Sequence, residues 1–323
     1  MKKVKLGNTD IMVSPVGFGV LTVGATQLNM PVSDGAALIK YALSKGINFF
    51  DTAQYYETYP YLREGLKDVD ITSANPSRPV ICSKCLDSTY EDMDYAVKEA
   101  LRELNTDVID IFLLHEIRSE EDFRWRDGAL QCLRDYKAKG VITAIGLSTH
   151  HIDVTLLAAD EPDIEVVFPL INYAGLGIRH YDNPGTADDM AHAIAACHRA
   201  GKGVFTMKAF GGGNLTGNYV KALEYVRNLE GVDSIMVGIG DFDQIDRLVE
   251  FAEGTLDENY VPDISRKKMF VEPGNCIVCG ACARRCPNNA ITMGTYMAEI
   301  DHSICLTCGY CAPACPVRAL IML

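Results

Sequence analysis

The chain has 323 residues, with 30 Lys and Arg against 43 Asp and Glu, and a formal net charge of −13. Such a balance opposes binding to nucleic-acid phosphates and anionic lipid heads, and no stretch reaches the roughly 18 apolar residues of a membrane span. Hydrophobic residues make up 48%, enough for a substantial core, and 12 residues are cysteine. Because the N-terminus MKKVKLGNTD lacks the apolar run of a signal peptide, a cytoplasmic protein is expected, with cysteines used for metal or redox chemistry.

The chain opens on a hairpin signal, residues 4–6 and 11–13 around Gly7-Asn8-Thr9. Apolar runs then alternate with amphipathic segments. The runs are PVGFGV, GINFFD, PVICSK, VIDIFLLH, AIGLS, EVVFPL, GVFTM and DSIMVG; the segments between them include SDGAALIKYALSKG, TYEDMDYAVKEALREL and ADDMAHAIAACHRAG. Strand-then-helix units repeated over about 250 residues have the size and rhythm of an α/β fold, the (β/α)8 barrel. A doubly wound open sheet gives the same alternation, but no GxGxxG follows the first strand. The expected domains are a barrel over residues 1–255, a polar linker over 256–271 containing Pro262, and a small α+β module over 272–323.

Barrels keep their chemistry at the C-terminal ends of the strands. There the second strand runs into Asp51, whose loop carries Tyr56, the third ends at Lys84 and the fourth at His115. A phenol with a reference pKa of about 10 is a poor acid or base near neutrality. A lysine beside it favours the phenolate and lowers that pKa, a carboxylate holds the lysine charged, and a histidine orients a substrate carbonyl. Cys82 and Cys85 bracket Lys84 as C-x-x-C, but positions three apart on a strand face opposite sides, so packing is favoured over a redox pair. Cys132 and Cys197 lie on helical segments and read as core. Arg124-Trp125-Arg126 and Arg179-His180-Tyr181 fall in loops that should rim the pocket; His150-His151 lacks a third metal ligand.

The C-terminal module repeats itself. CIVCGACARRCP (276–287) and CLTCGYCAPACP (305–316) each space four cysteines C-x2-C-x2-C-x3-C before a proline, 29 residues apart. Four thiolates hold a [4Fe–4S] cluster, and in two-cluster ferredoxins the fourth cysteine of each run serves the other cluster. The expected sets are Cys276, Cys279, Cys282 and Cys315, and Cys305, Cys308, Cys311 and Cys286. Zinc also takes four thiolates, but it needs neither the third cysteine nor the proline. The module resembles the bacterial two-[4Fe–4S] ferredoxins. A role as structural staples stays open beside electron transfer.

With GINFFDTAQYY, Lys84 in VICSK and His115 in FLLHE, the first 250 or so residues resemble the aldo-keto reductases. That resemblance implies a (β/α)8 barrel reducing aldehydes and ketones with NADPH through Asp51, Tyr56, Lys84 and His115, with Tyr56 as general acid. It implies cofactor contacts at Ser148, Lys208, Gly211, Gly213 and Gly238, the glycines lying in loops where barrels commonly cradle phosphates. The pattern departs from the family where Thr149, Phe168 and Met207 replace an Asn, a Gln and a Tyr that hold nicotinamide. Asp241 and Asp243 also stand where basic residues often meet the 2′-phosphate. Use of NADH or NADPH is therefore left open. The expected function is an iron–sulfur oxidoreductase that reduces a small-molecule carbonyl or oxidises its alcohol, with a redox partner protein as a further candidate. The alternatives are an ordinary NAD(P)H-dependent reductase with structural clusters, or a non-catalytic electron-transfer subunit.

Overall fold

The computed structural model describes residues 1–323 except 182, 264–266, 287 and 306–308. Strands Val4–Lys5 (β1) and Met12–Val13 (β2) pair antiparallel, Val4 opposite Val13. Their hairpin buries Leu6, Ile11 and Val13 against Phe49, Val80 and Ile111, so it plugs the N-terminal end of the barrel.

The expected apolar runs are strands β3 (Val16–Gly19), β4 (Phe49–Asp51), β5 (Val80–Cys85), β6 (Ile109–Leu114), β7 (Ile142–Thr149) and β8 (Val166–Pro169). A short antiparallel pair, β9 (Arg179–His180) and β10 (Asn183–Pro184), leaves the barrel before β11 (Gly203–Thr206) and β12 (Ser234–Gly238). Barrel strands pair in parallel and close in the order β11-β12-β3-β4-β5-β6-β7-β8. Such strands are buried on both faces, which is why they read as continuous apolar runs. In β5, Cys82 packs inside the barrel while Cys85 packs outside, under the helices.

Helices α1 (Val32–Ser44), α2 (Tyr59–Gly65), α3 (Tyr90–Leu104), α4 (Glu120–Trp125), α5 (Asp127–Ala138), α6 (Ile152–Asp160), α7 (Ala187–Arg199), α8 (Tyr219–Arg227) and α9 (Phe242–Glu253) surround the barrel. Side chains of Thr89, Ser119, Thr186 and Asp241 cap α3, α4, α7 and α9 by accepting a backbone N–H in the first turn, each cap worth about 1 kcal/mol. No described helix is long and apolar enough to cross a membrane.

The module folds as two interlocked copies of one unit. Strand β13 (Met269–Val271), inside the expected linker, pairs with β16 (Leu320–Met322), and β14 (Ile291–Met293) pairs with β15 (Ala298–Ile300). Helices α10 (Ala281–Arg285) and α11 (Cys311–Ala314) lie between them in sequence. Because the sequence repeats every 29 residues, each sheet joins the first strand of one copy to the second strand of the other. The backbone repeats too: Gly280 and Gly309 take φ of 72° and 74°, Asn289 and Arg318 take 53° and 55°. Cys282, Cys311 and Cys315 are buried in the module's core with Met269, Ile291 and Leu320.

The module sits on the C-terminal face of the barrel. Arg179 Nη1 donates to the Pro316 carbonyl at 3.0 Å, and Met322 N donates to the Gly212 carbonyl at 2.7 Å.

Candidate active site

Adjacent strands bring the polar residues together. Asp51 ends β4 and Lys84 lies beside it on β5; Lys84 Nζ is 2.9 Å from Asp51 Oδ1 and 3.0 Å from Oδ2. It also donates to the Thr52 carbonyl at 2.6 Å. A short 3-10 turn, Gln54–Tyr56, swings Tyr56 back over the barrel. There Lys84 Nζ lies 4.5 Å from the centre of the Tyr56 ring. His115 follows β6, and its Nε2 is 3.3 Å from Tyr56 Oη. The structure thus gathers Asp51, Tyr56, Lys84 and His115 into one cluster.

The electrostatics follow from burial. Lys84 and Asp51 are both within the barrel, with side chains 1% and 6% exposed. Burial opposes the Lys84 charge, yet Asp51 and Tyr56 outweigh it and hold the ammonium above its ordinary value. Burial also pushes the Tyr56 phenol up to about 12; Lys84 opposes this, while Asp51 and Glu272 add to it. The expectation that Lys84 would lower this phenol names a real attraction, but desolvation exceeds it. His115 is held well below its ordinary value by burial first and by Lys84 next, so its ring is neutral.

The remaining expected positions have specific partners. Ser148 Oγ accepts the Glu116 N–H at 2.8 Å, and Thr149 Oγ1 donates to the Ile117 carbonyl at 2.7 Å, so both tie β7 to the loop after β6. Phe168 fills the barrel, stacked on Phe205 with ring centres 4.0 Å apart. Lys208 Nζ is 3.7 Å from Glu272 of the module. A Cβ on Gly238 would lie 2.1 Å from Thr22 Oγ1. Gly211 and Gly213 both have positive φ, and the module packs against Gly213.

Of the rim candidates, Trp125 is 77% exposed and Arg126 is buried. Arg126 Nη1 donates to the carbonyls of His115 and Leu86, both at 2.9 Å, while Asp122 pairs with its other side. It therefore fixes the backbone that carries His115, a role a loop arginine does not announce. Glu272 of the module is close enough to raise the Tyr56 pKa, a role its place in a cysteine-rich segment does not announce. The only signal in the sequence is its place at the start of the cysteine module, four residues before Cys276.

In the module, Cys308 lies outside the described residues. Burial pushes the Cys282 thiol up, and the charges of Cys315 and Cys276 add to it, so both lie within electrostatic range of Cys282. The sulfurs also accept backbone N–H bonds: Cys276 from Ala298 at 3.4 Å, Cys286 from Ala290 at 3.2 Å and Cys315 from Ala319 at 3.3 Å. Cysteine sulfurs met by backbone N–H donors, Cys282 and Cys315 buried and Cys276 and Cys286 half-buried, fit a thiolate-ligated cluster, whose potential such bonds tune.

Fold and site together define a (β/α)8 barrel with an Asp–Tyr–Lys–His cluster at its mouth. Residues 15–228 match the aldo/keto reductase family and residues 275–319 match the 4Fe-4S dicluster domain. The chain belongs to the aldo/keto reductase family and carries a C-terminal dicluster domain. It is 27% identical over 182 residues to L-galactose dehydrogenase of Arabidopsis thaliana, covering 54% of this chain and 56% of that one. It is 30% identical over 181 residues to D-arabinose 1-dehydrogenase of Saccharomyces cerevisiae, covering 50% and 53%. The chain thus spans about half the length of the curated relatives it matches. Among solved structures, an aldo-keto reductase fold from Pseudomonas aeruginosa superposes with a TM-score of 0.65 at 24% identity, covering 79% of this chain and 95% of that one. The holo form of a Bacillus halodurans aldo-keto reductase gives 0.63 at 20% identity, covering 79% and 92%. Both speak to the fold.

Proposed function

We propose that this protein is an oxidoreductase that interconverts a small-molecule carbonyl and its alcohol, with Tyr56 as the proton donor and acceptor. The observation that carries the reading is the contact of Tyr56 Oη with His115 Nε2 at 3.3 Å, beside the buried Lys84–Asp51 pair. A carbonyl oxygen seated between that hydroxyl and that imidazole receives a proton from Tyr56, while an external reductant supplies the hydride equivalent, two electrons and a second proton, that forms the C–H bond at the carbonyl carbon. Neutral His115 offers a hydrogen bond that orients it, and Lys84 stabilises the phenolate left behind. In the reverse direction the phenolate takes the proton back.

Keeping two charges out of water costs several kcal/mol per ion, an expense hard to understand in a barrel retained for packing alone. That supports a catalytic reading over a docking subunit. Cys276, Cys279, Cys282 and Cys315 would hold one cluster, and Cys305, Cys308, Cys311 and Cys286 the other. Each [4Fe–4S] cluster, when bound, supplies or accepts one electron, and the module's seat on the barrel mouth supports delivery of electrons there.

Two curated relatives are named as dehydrogenases of L-galactose and D-arabinose, so aldoses head the panel to assay, followed by simple aldehydes. Tyr56→Phe keeps the ring and removes the proton, so turnover with the active substrate should fall by roughly 10² or more. Near-normal turnover in a folded Tyr56→Phe variant would sink the role.

A further inference from the structure

The loop after β11 is a place where barrels commonly seat a phosphate, and its glycines match that use. Gly211, Gly212 and Gly213 have φ of +56°, +67° and +83°, a left-handed run that exposes backbone for close approach. In this chain the approach is made by the module. A Cβ on Gly213 would stand 1.7 Å from the Met322 carbonyl oxygen, and one on Gly212 would stand 3.1 Å from Ile321 Cγ2. The Gly212 carbonyl accepts the Met322 N–H at 2.7 Å, and Asn214 Nδ2 reaches the Leu320 carbonyl at 3.4 Å.

Charge points the same way. Lys208, the cation at the start of this loop, has Glu272 of the module 3.7 Å from its Nζ. A carboxylate there already partners the loop's lysine, and it repels an incoming anion, while the Asn214 amide is taken up by the carbonyls of Gly211 and Leu320. The cavity left between Lys208, Gly211, Asn214, Arg318 and Leu320 is about 20 Å³, room for about one water with the module seated.

We propose that the docked module and a nicotinamide dinucleotide are mutually exclusive occupants of the β11 loop, so that the seated protein takes neither NADH nor NADPH there. Strand β16 is then a built-in plug as well as the edge of a cluster domain. A dinucleotide gains the loop only when the strand leaves, and its apparent affinity is reduced by the fraction of molecules in which the loop is open. The inference rests on packing and charge at this loop, and it stands or falls separately from the role given to Tyr56.

Ile321 offers the test. It is buried, lies against Gly212, and sits between Leu320 and Met322, which both face the module's own core. Ile321→Asn puts an unpartnered amide into the docking surface and leaves the module core alone, which should weaken docking roughly 5- to 100-fold. Cluster-loaded wild type and variant are titrated with NADH and NADPH by calorimetry, with hydrogen exchange at the Met322 amide followed in parallel. Wild type should show no saturable binding at micromolar dinucleotide and a protected Met322 amide. The variant should lose that protection and bind roughly 5- to 100-fold more tightly. Equal affinity in the two proteins, including no binding to either, overturns the proposal. Should the variant lose its clusters, the wild type decides. At millimolar dinucleotide, binding with Met322 still protected refutes exclusivity and so does no binding, whereas binding with the Met322 protection lost upholds it.

Discussion

Lys84→Met isolates what the buried ion pair does for the fold. Met nearly matches the lysine stem in length, so the change removes the ammonium and leaves little cavity. What remains is Asp51, 6% exposed, whose two oxygens had the Lys84 ammonium at 2.9 and 3.0 Å. Breaking such a pair from one side costs about 3–5 kcal/mol, because the surviving charge stays buried without compensation. At roughly 2–4 °C per kcal/mol for a domain of this size, the barrel's unfolding midpoint should drop by about 6–20 °C. The loss should depend on pH with a definite sign. Burial already holds the Asp51 carboxyl above its ordinary value with Lys84 opposing it, so in the variant, with Lys84 gone, the folded-state pKa rises further above the unfolded value. A folded state that binds more protons than the unfolded one loses stability as pH rises. The gap between variant and wild type should therefore narrow as pH falls from 7 toward the ordinary carboxylate range. Asp51→Asn in the same chain removes the stranded charge and should recover most of the loss at pH 7. The assay is thermal unfolding by circular dichroism of wild type, single and double variants at several pH values. If the single variant matched wild type at pH 7, or the double variant were no better than the single, the pair would not be holding a charge in the barrel as argued.

Because burial holds the Tyr56 phenol near 12, it is protonated throughout the neutral range. Carbonyl reduction should be flat in pH through neutrality and decline only as pH climbs toward about 12, with His115 neutral across that span; a titration near 7 in kcat would contradict the assignment. Anaerobically prepared protein should contain about eight irons and eight sulfides per chain, as two [4Fe–4S] clusters. Stoichiometric zinc with negligible sulfide would defeat that.

Much of the fold was legible because a parallel barrel announces itself: its strands are largely apolar runs, and Asp51, Lys84 and His115 stand at or near their C-terminal ends. Helices α2 and α6 were harder to read. YPYLREG is short and carries Pro60 and Gly65, while IDVTLLAAD is apolar on most sides, so neither shows a clear helical period. The stretch 124–126 reads as loop, yet Arg124 and Trp125 close α4 and Arg126 turns inward to the His115 carbonyl. The Tyr56 pKa shows a different gap. Sequence names the neighbours of a phenol but not its desolvation, and here desolvation sets the direction. Similarly, GGGN signals a close approach, but not that the approaching group lies about a hundred residues further on, in β16.

The module's interlocked strands carry a consequence for which cysteines share a cluster. Each sheet takes one strand from each copy, so the last cysteine of one copy is carried toward the first three of the other. Cys315 lies within electrostatic range of Cys282 by its effect on that thiol, and so does Cys276. Cys286 and Cys315 stand in matching surroundings, each four residues before the alanine whose N–H it accepts. The crossed sets can be told from the sequential ones by dismantling one site first. With Cys305→Ala and Cys311→Ala together, the second site lacks two ligands on either scheme, and about four irons should remain. Adding Cys315→Ala should then lower the iron content further and change the cluster absorbance, whereas adding Cys286→Ala should leave both nearly as they were. The two outcomes exchange places if each run of four cysteines holds its own cluster. Iron and sulfide analysis of these variants therefore decides whether the two halves of the module are stitched together by their metal centres as they are by their sheets.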